Sequence, residues 1–185
     1  MLRVTVMADR FYRGCSMSRL MAGIIVGMAI LTGASVALFT ASSPSWPEPE
    51  GVQSLTLSVL LQAYTALLVP LFDGFTSGEG LLIFAVWAAA SAFAGLTAGK
   101  LSTSIKLALI MPSIVILSWF GLLAIVFAEV YGPQSWLVEI NFFLENVAMY
   151  RPLNLLVPYL LVLAFSGTFG FLSSAFLARK ETVVT

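Results

Sequence analysis

Residues 54–73 read SLTLSVLLQAYTALLVPLFD. Whether this stretch crosses a membrane or rests against one decides how every later segment faces. Its length does not settle the matter, because about seventeen residues can just cross a bilayer. Its pattern says more. Ser54, Ser58, Gln62 and Thr65 are spaced four, four and three apart, which on a helix gathers them into one narrow stripe. Leu61 and Leu68 sit at the margin of that stripe, and Leu57, Leu60 and Leu67 are left for lipid or core. Pro70 stops or kinks a helix, and Asp73-Gly74 makes a turn. The expectation is a helix over 55–69 that dips into or lies along the outer leaflet. Its polar stripe should face protein or water, since polar groups are costly against lipid.

Outward from this stretch the chain is apolar. It has 185 residues, 59% hydrophobic and 10% charged, with a mean hydropathy of +0.99. A soluble domain carries about 25% charge, and no soluble fold of this size could hide so much apolar surface. The fold class is therefore all-α, a polytopic integral membrane protein with one transmembrane domain over 20–178. A basic tail, 1–19, precedes it and a short tail, 179–185, follows. Four apolar runs match the roughly 20 residues a spanning helix needs: Leu20–Ala41, 81–98, Leu107–Ala128 and Leu153–Ala178. Met17 would itself make a natural start. Leu20–Ala41 exceeds the 7–15 apolar residues of a signal peptide, although Ser35-Val36-Ala37 resembles a cleavage site. Pro44, Pro47 and Pro49 make 42–53 an extended loop, with Trp46 suited to an interface.

Lysine and arginine in short loops stay on the cytoplasmic side. With five crossings, one strongly basic end is always misplaced. With four, Arg3, Arg10, Arg13, Arg19, Lys100, Lys106, Arg179 and Lys180 share one side, and Arg151 alone lies on the other. Glu48, Glu50, Asp73, Glu79, Glu129, Glu139 and Glu145 then all face outward. Four spans plus a re-entrant or interfacial helix is the preferred count, with five transmembrane helices as the alternative. A second interfacial helix is expected at 137–149, with Leu137, Ile140, Phe143, Leu144 and Val147 on one side and Glu139, Asn141 and Glu145 on the other.

The chemistry available is narrow. The chain has no histidine and a single cysteine, Cys15. Intrachain disulfides, histidine-ligated haem or zinc, histidine acid–base catalysis and cysteine-ligated clusters are excluded within it. No phosphate-binding loop, nucleophile elbow or zinc-protease motif occurs. Zero net charge gives no field directed at nucleic acid. No charged residue lies near a span centre, which argues against a proton pump or voltage sensor.

The remaining candidates are weak constellations. Gly23 and Gly27, then Ser91, Gly95 and Gly99, repeat at four-residue spacing and suit close helix packing, within this unit or against another subunit. Pro112, followed by Ser113, is a candidate kink about a turn inside the third span. Asp73 and Glu79 share a glycine-rich loop and are a candidate outer-face ion site, set against an ordinary solvated acidic face. Ser91, Thr97, Ser118, Asn154 and Ser166 are the polar groups a carrier or channel would draw on. The function expected is a non-catalytic accessory or structural subunit of a membrane complex, with lipid and other membrane subunits or self as partners and no cofactor. It is placed in the cell membrane with both termini cytoplasmic. The alternative is a small homo-oligomeric transporter or channel component. A membrane enzyme would need the outer carboxylates as its acid and base, with a metal.

Overall fold

A computed structural model describes residues 2–42, 55–72, 78–132 and 134–183. These residues are almost wholly helical, and no strand occurs among them. In chain order the helices are α1 (Leu2–Ser42), α2 (Leu55–Phe72), α3 (Gly78–Ala98), α4 (Leu101–Tyr131), α5 (Ser135–Phe143) and α6 (Pro152–Val183). A π-helical segment, Leu144–Met149, joins α5 to α6. Four helices are long and apolar enough to cross a membrane: Ser18–Thr40 of α1, Gly80–Ala98 of α3, Leu101–Ala128 of α4 and Pro152–Phe176 of α6. The apolar part of α2, Thr56–Phe72, is shorter. The protein is thus a four-span helical bundle with one additional apolar helix.

Contacts between the spans fix their directions. Gly23 of α1 lies against Ala94, near the end of α3, and Leu107, near the start of α4. Gly95 of α3 lies against Ser166, near the middle of α6, and Gly170 of α6 against Ser104 of α4. The start of α1, the end of α3, the start of α4 and the later part of α6 therefore share one end of the bundle. α1 runs up, α3 comes down, and α1 leaves at the end where α3 enters. α1 therefore ends where α3 begins, and a single crossing by α2 between them does not fit. Five spans are incompatible with this arrangement. Arg19, Lys100 and Lys106 fall at the opposite end from Arg151, as the even-crossing count required.

Several boundaries differ from the sequence reading. The backbone of 2–19 is α-helical and continuous with the first span, which begins at Ser18. No proline interrupts it, and Gly14 alone costs only about 1 kcal/mol relative to alanine. α4 begins at Leu101, six residues before the expected span, so the connector from α3 is only Gly99-Lys100. Gly99 makes this possible with φ of +62°, a left-handed conformation that closes α3 and that glycine adopts without a Cβ penalty. Its N–H still donates to Gly95 O at 3.0 Å.

α2 continues through Pro70 to Phe72 instead of stopping at residue 69. In the last turns the missing N–H removes a single intrahelical bond, to Ala66 O, so the break is local. Nor does α2 ride on the surface. Ala63, Leu67, Leu68 and Leu71 are fully buried, and Leu67, expected for lipid or core, is core. With Leu31, Trp87, Leu107, Met111, Val115 and Val162 they fill the space that the four spans enclose.

The 137–149 helix forms, but in two geometries. Its π-helical part is marked by the bond from Tyr150 N to Glu145 O at 3.1 Å. Phe143 and Val147 are buried, while Leu137 and Leu144 stay exposed. Phe143 is the anchor, with its ring 5.8 Å from Phe72, 5.4 Å from Trp119 and 5.3 Å from Phe120.

Candidate functional site

The small residues named from sequence occupy helix crossings within this chain. A Cβ on Gly95 would stand 2.4 Å from Ser166 O and 2.6 Å from Ser166 Cα, so α3 and α6 touch backbone to backbone. A Cβ on Gly27 would meet Met111 Cε at 2.3 Å, and one on Gly23 would meet Ala94 O at 3.1 Å. Ser91 is fully buried and donates to Trp87 O at 2.6 Å. Near Gly95 a serine pair adds a polar clasp. Ser104 Oγ donates to Ser166 O at 2.9 Å and Ser166 Oγ to Ser104 O at 3.4 Å. These crossings draw the small residues into three different helix pairs rather than onto one outward face.

Other hydroxyls bond their own helix backbone, exposed in the case of Thr97 and buried in that of Ser35. Thr97 donates to Ala94 O at 2.8 Å and Ser35 to Leu31 O at 2.6 Å. Pro112 is fully buried about three turns into α4, not one, because the helix starts earlier. The proline frees Ala108 O, yet the Ser113 hydroxyl donates to Leu109 O, one residue along, at 2.7 Å, and pairs with Tyr159 OH at 3.1 Å. Among the described residues no buried side-chain nitrogen or oxygen lacks a partner. Among the described residues no three carboxylate side chains gather in a group that could hold a metal. Asp73 lies outside the described residues, and of Glu79 only the backbone, at the start of α3, is described, so their loop has no geometry to report.

The polar centre of the molecule is α2. Within nine residues it is hydrogen-bonded to all four spans. Tyr64 OH pairs with Thr32 Oγ1 of α1 at 3.2 Å. Thr65 Oγ1 accepts from Trp119 Nε1 of α4 at 3.0 Å and donates to Leu61 O. Leu67 O accepts from Trp87 Nε1 of α3 at 3.2 Å. Leu71 O accepts from Asn154 Nδ2, at the start of α6, at 3.1 Å, and Phe72 O from the Arg151 guanidinium. The last carbonyls of a helix have no intrahelical partner and carry partial negative charge. Asn154 and Arg151 supply the missing donors and, in Arg151, a compensating cation. The one basic residue that the charge count left on the wrong side thus has a structural partner. Sequence reasoning missed this cap. The visible signal was an unpaired arginine immediately before a span and opposite a helix end.

Beside the cap lies a cavity of about 340 Å³ lined by Phe72, Phe142, Asn146, Tyr150 and Arg151. Phe72 and Phe142 stack along one wall, with ring centroids 6.4 Å apart and planes at 22°. Phe142, Asn146 and Tyr150 follow each other at four-residue spacing through the π-helical segment. Asn146 Nδ2 donates to Phe142 O at 2.9 Å, which holds the amide at the rim. π-Helical turns occur often at functional sites, and this one shapes the cavity wall.

Comparison with protein-family models, with characterised proteins and with solved structures finds no match for this chain.

Proposed function

We propose that this chain is a non-catalytic multi-pass membrane protein serving as an accessory or structural subunit of a membrane complex, with both termini cytoplasmic. One observation carries the reading. The interior is closed by apolar side chains, with α2 as its centre, and the hydroxyls, indoles and amides traced there are directed to backbone carbonyls or to one another. A carrier or channel would draw on polar groups aimed at a shared path. An enzyme would need an acid, a base or a nucleophile held apart from such bonds. Outward, α3, α4 and α6 present exposed Phe93, Leu109, Leu117, Ile125, Phe171 and Phe176. Such faces suit lipid or neighbouring spans, where packing rather than hydrophobicity drives association.

The test is extraction in mild detergent from the native membrane through an affinity tag, followed by quantitative mass spectrometry. Co-purification of other membrane proteins in fixed ratio is expected. A homo-oligomer free of other proteins and stabilised by a small solute would favour the transporter reading instead.

A further inference from the structure

The cavity beside the α2 cap differs chemically from the rest of the surface. It joins one guanidinium and one amide to three aromatic rings, at the end of the bundle away from Arg19, Lys100 and Lys106. Arg151 and Tyr150 are exposed, and Phe142 is 55% exposed, so the site opens outward. A volume of about 340 Å³ lies at the lower end of small-molecule pockets, which run about 300–1,000 Å³. Two residues beyond Arg151 an exposed apolar stripe begins, Leu153, Leu156 and Leu160, at three- and four-residue spacing down α6. A polar rim at the mouth of a hydrocarbon-facing stripe matches the division of a lipid into head and chain.

Charge narrows the class. A guanidinium has five N–H donors in a planar fork suited to phosphate oxygens, and bonding Phe72 O uses only part of that fork. The neighbouring charges are acidic: Glu145 is exposed one residue before Asn146, and Glu139 is half-buried on α5. A lipid with net negative charge would meet one cation and these two carboxylates. A phosphodiester that carries its own ammonium meets complementary charge throughout. Its phosphate matches Arg151, and its ammonium matches the ring faces of Tyr150 and Phe142 and the field of Glu145.

We infer that the Phe72–Phe142–Asn146–Tyr150–Arg151 cavity binds the headgroup of a zwitterionic phospholipid, with an acyl chain along Leu153, Leu156 and Leu160. Arg151 takes the phosphodiester, Asn146 hydrogen-bonds it, and the aromatic wall takes the ammonium.

Native mass spectrometry of the full-length protein tests this. Delipidated protein in detergent is titrated separately with short-chain phosphatidylcholine, short-chain phosphatidylglycerol and inorganic phosphate. One phosphatidylcholine should be retained per chain, with phosphatidylglycerol at least tenfold weaker and inorganic phosphate not retained. Arg151→Gln should weaken phosphatidylcholine at least tenfold. Since Arg151 also caps α2, Tyr150→Ala, which leaves the cap intact, provides a second arm. It should erase the preference between the two lipids. Equal retention of both lipids by the wild type overturns the inference, as does a preference unchanged in Tyr150→Ala. Retention of inorganic phosphate in place of lipid would make this a general anion site and overturn it equally.

Discussion

Placing a methyl group at Gly95 tests the α3–α6 contact directly. The new Cβ would lie 2.4 Å from Ser166 O, about 1 Å inside the 3.4 Å at which ordinary contact begins. Its neighbours are backbone atoms, so no side chain can swing away. Either α3 and α6 separate or both helices bend. Overpacking of this kind costs about 1–3 kcal/mol. Displacing Ser166 also strains its bond from Ser104, and interhelical bonds in membranes average about 0.6 kcal/mol. Against this, alanine gains about 1 kcal/mol of helix propensity over glycine. Gly95→Ala should therefore destabilise by about 0.6–2.6 kcal/mol. Two glycines of α1 serve as controls. Gly33 has nothing within 4 Å, so Gly33→Ala should be neutral or stabilising. Gly27 faces the flexible end of Met111, so Gly27→Ala should fall between. The assay is reversible unfolding in mixed micelles titrated with dodecyl sulfate, followed by tryptophan fluorescence. An unfolding midpoint for Gly95→Ala equal to that of Gly33→Ala would refute the backbone contact.

Trp87→Phe removes the indole donor to Leu67 O from a fully buried site and should lose about 1–2 kcal/mol in the same titration, whereas Phe93→Leu, on the exposed face of α3, should change little. Asp73→Asn with Glu79→Gln should leave the midpoint nearly unchanged, because solvated acids contribute little; a calcium-dependent stabilisation abolished by both changes would reveal an ion site instead. Reporter fusions after Lys100 and at Thr185 should both report the cytoplasm, and one reporting outside would reject the proposed topology. In a Cys15→Ser background, cysteines at Ser54 and Phe75 should react with an impermeant reagent from the same side of intact cells, and labelling from opposite sides would contradict the antiparallel α1 and α3.

The spans were legible because each needs only its own composition. Runs such as Leu107–Ala128 are long and uncharged whatever surrounds them, and the basic residues flanking them report parity through a count. The role of α2 was not legible in the same way. Ser58, Gln62 and Thr65 read as a polar stripe toward water or protein. Only the folded arrangement supplies Trp119 as the partner of Thr65, 54 residues away. Leu67 and Leu68 look no different in sequence from the lipid-facing leucines of α4, and their burial depends on what four distant segments leave open. The early start of α4 was hidden because Ser102, Thr103 and Ser104 resemble a loop. In the fold Thr103 and Ser104 are buried, and Ser104 clasps α6. The cavity was the least legible, since it depends on a π-helical turn that no residue spacing announces.

The hydrogen bonds of α2 also constrain how the protein is made. Synthesis proceeds from the N-terminus, so when α2 leaves the ribosome only α1, with Thr32, already exists to receive it. Trp87, Trp119, Arg151 and Asn154 are all translated later. The last carbonyls of α2 therefore stay unanswered until Arg151 and Asn154 have been made. Its docking is therefore expected to complete late, and loss of the final span should strand it. Nascent chains stalled after Leu101 should leave a cysteine at Leu67 open to a thiol reagent. The completed chain should protect it, and protection already present in the stalled chain would show that α1 and α3 suffice to hold α2.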